Sequence, residues 1–180
     1  MKTTVLKCLL LDADVIIYLH EIGLWKAFKK RFEVFVSGAV GNEVQFYLDK
    51  FGKHIPINLR MEKIKIFEMD AQKANNAIYS TIDKFSGPDL HIGEIESIAL
   101  LMEKENKNLT LCTGDGGAII AVCLLGIKER IISLEETMTQ GGMKKKIKRH
   151  FTKQCMKQWK KRGEINLIQG VGLVKERHKR

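Results

Sequence analysis

Carboxylates recur in this 180-residue chain where a strand ends or a helix begins: Asp12 with Asp14, Glu43, Glu94 with Glu96, and Asp115. Brought together, such acids would repel one another and would not remain ionised without a cation. Oxygen ligands with no neighbouring histidines or thiolates select Mg²⁺ or Mn²⁺ over zinc. One or two such ions can activate a water and stabilise the leaving oxygen of a phosphodiester, and this is the chemistry the set points to. Each acid also has a plainer use. Glu43 or Glu94 in a helix's first turn gains about 0.3–1 kcal/mol from the helix dipole, and Asp14 or Asp115 can cap a helix. Asp12 is different, because it follows Leu9-Leu10-Leu11 and a carboxylate at the edge of a core calls for a partner or a metal.

A parallel sheet would bring these acids together, since the C-terminal ends of all its strands lie on one side. Residues 5–11, interrupted by Lys7, read as a buried strand, and the apolar residues after Asp14 recur at near-helical spacing. Residues 24–32 carry Leu24, Trp25, Phe28 and Phe32 on one helical face, residues 33–36 are a short strand, and residues 40–50 read as a helix with Glu43 in its first turn. Residues 63–67 alternate like a strand, and residues 70–85 read as a helix capped by Asp70 with Ile78, Ile82 and Phe85 inward. Gly93 opens a helix to about residue 104. Residues 109–112 form a compact strand ending in Thr113-Gly114-Asp115-Gly116-Gly117, residues 118–125 a buried helix, and residues 130–134 the last strand of the body. This alternation predicts an α/β fold, a three-layer α/β/α sandwich around a mostly parallel sheet.

The formal charge of +10 is uneven: residues 143–180 hold 14 Lys and Arg against Glu164 and Glu176, a net of +12, which leaves −2 for residues 1–142. The chain therefore divides into a near-neutral body, residues 1–140, and a basic extension, residues 141–180, with Gly141-Gly142 as the hinge. Residues 143–162 read as one long basic helix with Ile147, Phe151, Cys155 and Trp159 as a stripe that docks on the body or on a partner, and residues 163–180 as a short extended segment. The run Lys144, Lys145, Lys146, Lys148 and Arg149 is the predicted nucleic-acid contact. The four cysteines make no CxxC spacing, no stretch has the length of a membrane span, and no signal-peptide pattern opens the chain, so a reduced cytoplasmic protein is expected.

At this point the residues carry a resemblance. Leu10-Leu11-Asp12-Ala13-Asp14-Val15-Ile16-Ile17-Tyr18-Leu19 resembles the opening motif of the PIN-domain (PilT N-terminus-like) nucleases. Ser37-Gly38-Ala39-Val40-Gly41-Asn42-Glu43-Val44 is similar to that family's second motif, Gly93-Glu94-Ile95-Glu96-Ser97-Ile98-Ala99-Leu100 to its Gly-Glu-x-Glu-Ala-Ile-Ala-Leu helix, and Thr113-Gly114-Asp115 to its Thr-x-Asp motif. The match spans about residues 5–134, and the order and spacing of the motifs carry it more than any one motif. It implies a metal-dependent endoribonuclease with Asp12, Glu43, Glu94 and Asp115 as catalytic acids, of which Asp12, Glu94 and Asp115 hold Mg²⁺ or Mn²⁺. Asp14 and Glu96 become supporting acids, and Thr113 orients Asp115 or a bound water. Many members are toxins inhibited by a small antitoxin and many form dimers, so the implied partners are RNA, a small antitoxin protein and a second copy of the chain, with no membrane. The departures are Ser97, where alanine is usual, and Gly116-Gly117, where a polar or basic residue is more typical.

Two other readings compete. Leu11-Asp12-Ala13-Asp14-Val15 also resembles the nucleophile motif of haloacid-dehalogenase-type phosphatases, Ser37 their phosphate-binding serine and Gly114-Asp115-Gly116 their metal motif. That reading lacks the second acid expected soon after Asp115 and leaves Gly93-Glu94-Ile95-Glu96 without a role. The third is a nucleic-acid-binding module with vestigial acids, supported by the basic extension. Among the histidines, His91 stands nearest the predicted site, just before Gly93-Glu94. His20 is also near it in sequence, and His54, His150 and His178 read as loop or tail residues.

Overall fold

The computed structural model describes residues 7–175. The chain runs β1 (Lys7–Leu11), α1 (Ala13–Glu21), α2 (Trp25–Lys29), β2 (Phe32–Ser37), α3 (Gly38–Glu43), β3 (Phe46–Leu48), β4 (His54–Pro56), β5 (Lys65–Phe67), α4 (Ala71–Tyr79), α5 (Ile92–Met102), β6 (Thr110–Cys112), α6 (Gly116–Leu124), β7 (Ile131–Ile132), α7 (Leu134–Gln140) and α8 (Lys153–Gln169). Five strands pair in parallel in the order β5-β2-β1-β6-β7. The leucines of β1 explain why it is central. Leu9 and Leu11 pack into one hydrophobic cluster and Leu10 into the other, all three fully buried. A strand covered on both faces needs successive apolar residues rather than alternation.

Helices α1, α2 and α7 cover the Leu9/Leu11 face, and α4, α5, α6 and α8 the opposite one. The result is the three-layer α/β/α arrangement that the alternation of elements predicts. Among the described residues no helix is long and apolar enough to cross a membrane.

Several local expectations are corrected. Residues 40–50 are not one helix: α3 ends at Glu43, and residues 46–56 form the antiparallel hairpin β3–β4. The turn chemistry decides this, because the Asp49 side chain accepts from the N–H groups of Phe51 and Lys53 and closes the loop at Gly52. Helix α4 stops at Tyr79, and Phe85 is exposed rather than inward, while Ile82 is buried as expected. The last strand of the body is only β7, after which Ser133 caps α7, a helix the residue pattern does not announce.

The long basic helix is also shorter at its start and longer at its end. Residues 143–148 are irregular, a single 3₁₀ turn follows at Arg149–Phe151, and Thr152 caps α8 by accepting from the Cys155 N–H. In one helix from residue 143, Lys144 would face Lys148 and Lys145 would face Arg149 four residues on, which like charges disfavour. Instead Lys145 Nζ donates to the Ile22 carbonyl at 2.6 Å and Lys148 Nζ pairs with Glu21 at 3.1 Å, both at the end of α1. At the other end Gly163 does not stop the helix. A Cβ there would stand 2.6 Å from Cys123 Cβ and 3.3 Å from Ile120 Cα, so the glycine marks the close crossing of α8 over α6. The extended segment expected from residue 163 is therefore helical to Gln169, and its residues 176–180 lie outside the described residues. The predicted stripe docks on the body itself: Phe151 and Met156 are core residues, and Ile147 and Trp159 pack beside them.

Candidate active site

The connection after β1 leads to β2 on one side, whereas β6, on its other side, leads on to β7. Strand order therefore reverses between β1 and β6, and a crevice opens at the C-terminal ends of such neighbours. Asp12 follows β1 directly and stands at the N-cap position of α1, its side chain turned to Thr113 rather than to the helix; Asp115 follows β6 after Thr113 and Gly114 and caps α6, its Oδ1 accepting from the Ala118 N–H at 2.8 Å. The ladder is prolonged by the Asp12 N–H, which donates to the Cys112 carbonyl at 3.2 Å. Thr113 ties the two acids together. Its buried hydroxyl donates to Asp12 Oδ2 at 2.6 Å and accepts from the Asp115 N–H at 3.0 Å.

Glu43 and Glu94 arrive from the other direction. Glu94 lies in the first turn of α5, where Oε2 accepts from the His91 N–H at 2.7 Å. Glu43 is the last residue of α3, not in its first turn as the sequence suggests. A Cβ at Gly93 would lie 3.1 Å from Val40 Cγ2 and 3.3 Å from Glu43 Oε2, so the bare backbone of Gly93 is what lets α3 close on the start of α5. The outcome is one pocket of about 280 Å³ lined by Asp12, Asp14, Glu43, His91, Glu94 and Asp115.

The electrostatics of this pocket are those of crowded carboxylates. Burial pushes the Asp12 carboxyl up to about 6, the charges of Asp14 and Asp115 add to this, and the hydrogen bonds from Thr113 and Ala13 oppose it. Burial likewise raises Glu94 to about 8, with Asp115, Asp12 and Glu43 contributing. Burial and the neighbouring carboxylates thus penalise the charged forms of Asp12 and Glu94, a penalty that a hard cation bound among these oxygens would relieve. Among the described residues, however, no three His, Cys, Asp or Glu side chains stand close enough to hold an ion as they are. The pocket has the donors without a preformed coordination shell.

The remaining predicted residues fall in three groups. Asp14 and Thr113 belong to the pocket wall and its support. Glu96 does not reach the pocket: it is buried behind α3, where Oε2 accepts from the Ala39 N–H at 2.7 Å and fixes the first turn of that helix. Glu96→Ala is expected to destabilise the chain by about 1–3 kcal/mol by stranding that donor, while Glu96→Gln keeps an acceptor and most of the stability; the midpoints of urea unfolding measure both. Of the basic run, Lys145 and Lys148 are engaged by α1, Lys144 and Lys146 are exposed, and Arg149 borders a groove on α8. His20 lies apart, its ring 5.0 Å from Trp25 and 5.3 Å from Tyr47.

Residue pattern alone misses His150 and the position of Trp159. Both border a second concavity that contains Asp14 and Asp115. The signal was in the glycines: a Cβ at Gly114 would stand 2.7 Å from the Phe151 ring, and one at Gly116 as little as 2.5 Å from the indole of Trp159. The glycine at 116 thus seats the tail helix against the loop that carries Asp115. Compared with models of known protein families, with curated proteins and with solved structures, the chain matches none.

Proposed function

We propose that this protein is a metal-dependent nuclease of the PIN type that hydrolyses phosphodiester bonds in RNA. The observation that carries the reading is the convergence of Asp12, Asp14, Glu43, Glu94 and Asp115, from four separate segments, on one pocket at the reversal point of a parallel sheet. Asp12, Glu94 and Asp115 would hold Mg²⁺ or Mn²⁺, which when bound supplies charge neutralisation and a more acidic water. Thr113 keeps Asp12 and Asp115 in fixed relation through the two bonds of its hydroxyl. The His91 N–H holds one oxygen of Glu94 and leaves the other to the pocket. Glu43 and Asp14, both exposed, stand at the rim, where their charge would repel a phosphate that arrived without a cation. RNA as the substrate follows from the resemblance of the four motifs.

Two observations weigh against the phosphatase reading. Ser37, its phosphate-binding residue, is fully buried, accepts from the Val40 N–H at 3.3 Å and receives the Ser97 hydroxyl at 3.3 Å. Glu94, which has no role in that reading, lines the pocket. The direct test is incubation of the purified protein with single-stranded RNA and DNA in Mg²⁺, Mn²⁺ or EDTA. Cleavage of RNA that requires the metal is expected; RNA bound but left intact in every metal would favour the binding module.

A further inference from the structure

We infer that the groove between the 3₁₀ turn and α8, bordered by Arg149, His150, Trp159 and Arg162, is a nucleotide-binding subsite that receives a single strand on its way to or from the acid pocket. The inference rests on the nuclease reading for its direction, but the groove has its own evidence. Three concavities adjoin. The acid pocket shares Asp14 and Asp115 with a second of about 360 Å³, and that one shares His150 and Trp159 with a third of about 520 Å³ that Arg149 and Arg162 enclose. One path therefore leads from the carboxylates to a pair of guanidinium groups.

Charge along this path changes sign, and among the described residues its two arginines face no carboxylate partner. Lys128, Lys148 and Lys153 are paired with Glu164, Glu21 and Glu136. Among the described residues neither the Arg149 nor the Arg162 side chain has an ion pair or a hydrogen bond; Arg162 lies over the Trp159 ring at 5.6 Å. Two exposed guanidinium groups in one groove can each bind a backbone phosphate in a bidentate manner. Trp159 supplies the other half of the recognition. Its indole rests on the bare Gly116 backbone and remains half-buried at the groove, and the Arg162 guanidinium over it at 5.6 Å gives the ring to an incoming base when that side chain turns to a phosphate. Such a ring stacks on a base whatever its identity, and only an unpaired base can present itself, so the occupant is single-stranded.

Binding is measured on the full chain in EDTA, by fluorescence anisotropy of a labelled single-stranded RNA 12-mer, together with tryptophan emission. Arg149→Gln/Arg162→Gln is expected to weaken binding at least tenfold and to reduce the slope of log affinity against log salt by about 1.4, two contacts at about 0.7 each. Trp159→Ala is expected to cost about 5–100-fold, and Trp159→Phe, which keeps a stacking face and the packing on Gly116, less than that. An arginine double variant with the affinity and salt slope of the parent, or equal affinity for a blunt RNA duplex, would overturn the inference. Hydrolysis of bis(p-nitrophenyl) phosphate in Mn²⁺, a substrate too small to reach the groove, separates the two readings. If the parent fails to hydrolyse it and RNA alike, the nuclease reading falls while the binding results, obtained without metal, still decide the groove.

Discussion

Replacing Asp12 by Asn should lower the rate of RNA cleavage in Mn²⁺ by about 10²–10³-fold, the usual cost of removing one preorganised electrostatic group, and leave the fold intact. The two halves of this expectation have separate causes. Asparagine is nearly isosteric and keeps an oxygen that can accept from Thr113, whose hydroxyl lies 2.6 Å from Asp12 Oδ2. The link from β1 through Thr113 to the Asp115 backbone therefore survives. What disappears is a negative charge that burial and the neighbouring Asp14 and Asp115 already hold up to a pKa of about 6. In EDTA at pH 8 the variant should melt at the same temperature as the parent or higher, because a strained charge has been removed. A variant that cleaves at the parental rate would remove Asp12 from the chemistry. One that unfolds at lower temperature would show that its charge serves the fold.

The second large effect is on stability and depends on pH. Asp12 and Glu94 have folded-state values of about 6 and about 8, above the roughly 4 at which such carboxyls ionise in an unfolded chain. Between those limits the folded protein holds protons that the unfolded chain has released. Stability without metal should therefore fall as pH rises from about 4, with the whole contribution lost above about 8. A divalent cation reverses the sign of the problem by compensating the charges. Mn²⁺ at about 100 times its Kd adds about 2.7 kcal/mol, which for a chain of this size raises Tm by about 5–10 °C. The gain should be large at pH 8 and small at pH 5, where binding must first displace protons, and Asp12→Asn should remove most of it. A pH-independent Tm shift, or one undiminished in the variant, would show that Mn²⁺ binds elsewhere.

Part of the architecture was written in residue order. Leu9-Leu10-Leu11 read as a strand buried on both faces, and Asp12 after it as a carboxylate at the edge of that core. Amphipathic spacing placed α5, and an unbroken apolar run between glycines placed α6. Short-range rules failed where a local competitor intervened. The Asp49 turn converted the second half of a presumed helix into the hairpin β3–β4, and Thr152 with crowded lysines moved the start of the tail helix to Lys153. Each depended on a side-chain bond or a repulsion that apolar periodicity does not register.

The site divides in the same way. The acid types, and the expectation that strand ends would gather them, follow from sequence, since a parallel sheet has one C-terminal edge. Which acids reach the pocket does not. Glu94 and Glu96 are two residues apart, yet one faces the cavity and the other is buried against the Ala39 N–H, because successive helical side chains point about 100° apart and α3 occupies one of those directions. The double glycine after Asp115 was legible only as a departure from a motif. Tertiary structure gives the reason: the Trp159 ring, more than 30 residues away in sequence, needs bare backbone at Gly116, and a Cβ at Gly117 would stand 2.7 Å from the Asp89 carbonyl oxygen. The basic extension's charge could be counted from the chain, but only packing decided which cations are spent on the body and which, Arg149 and Arg162, are left facing the groove beside the acids.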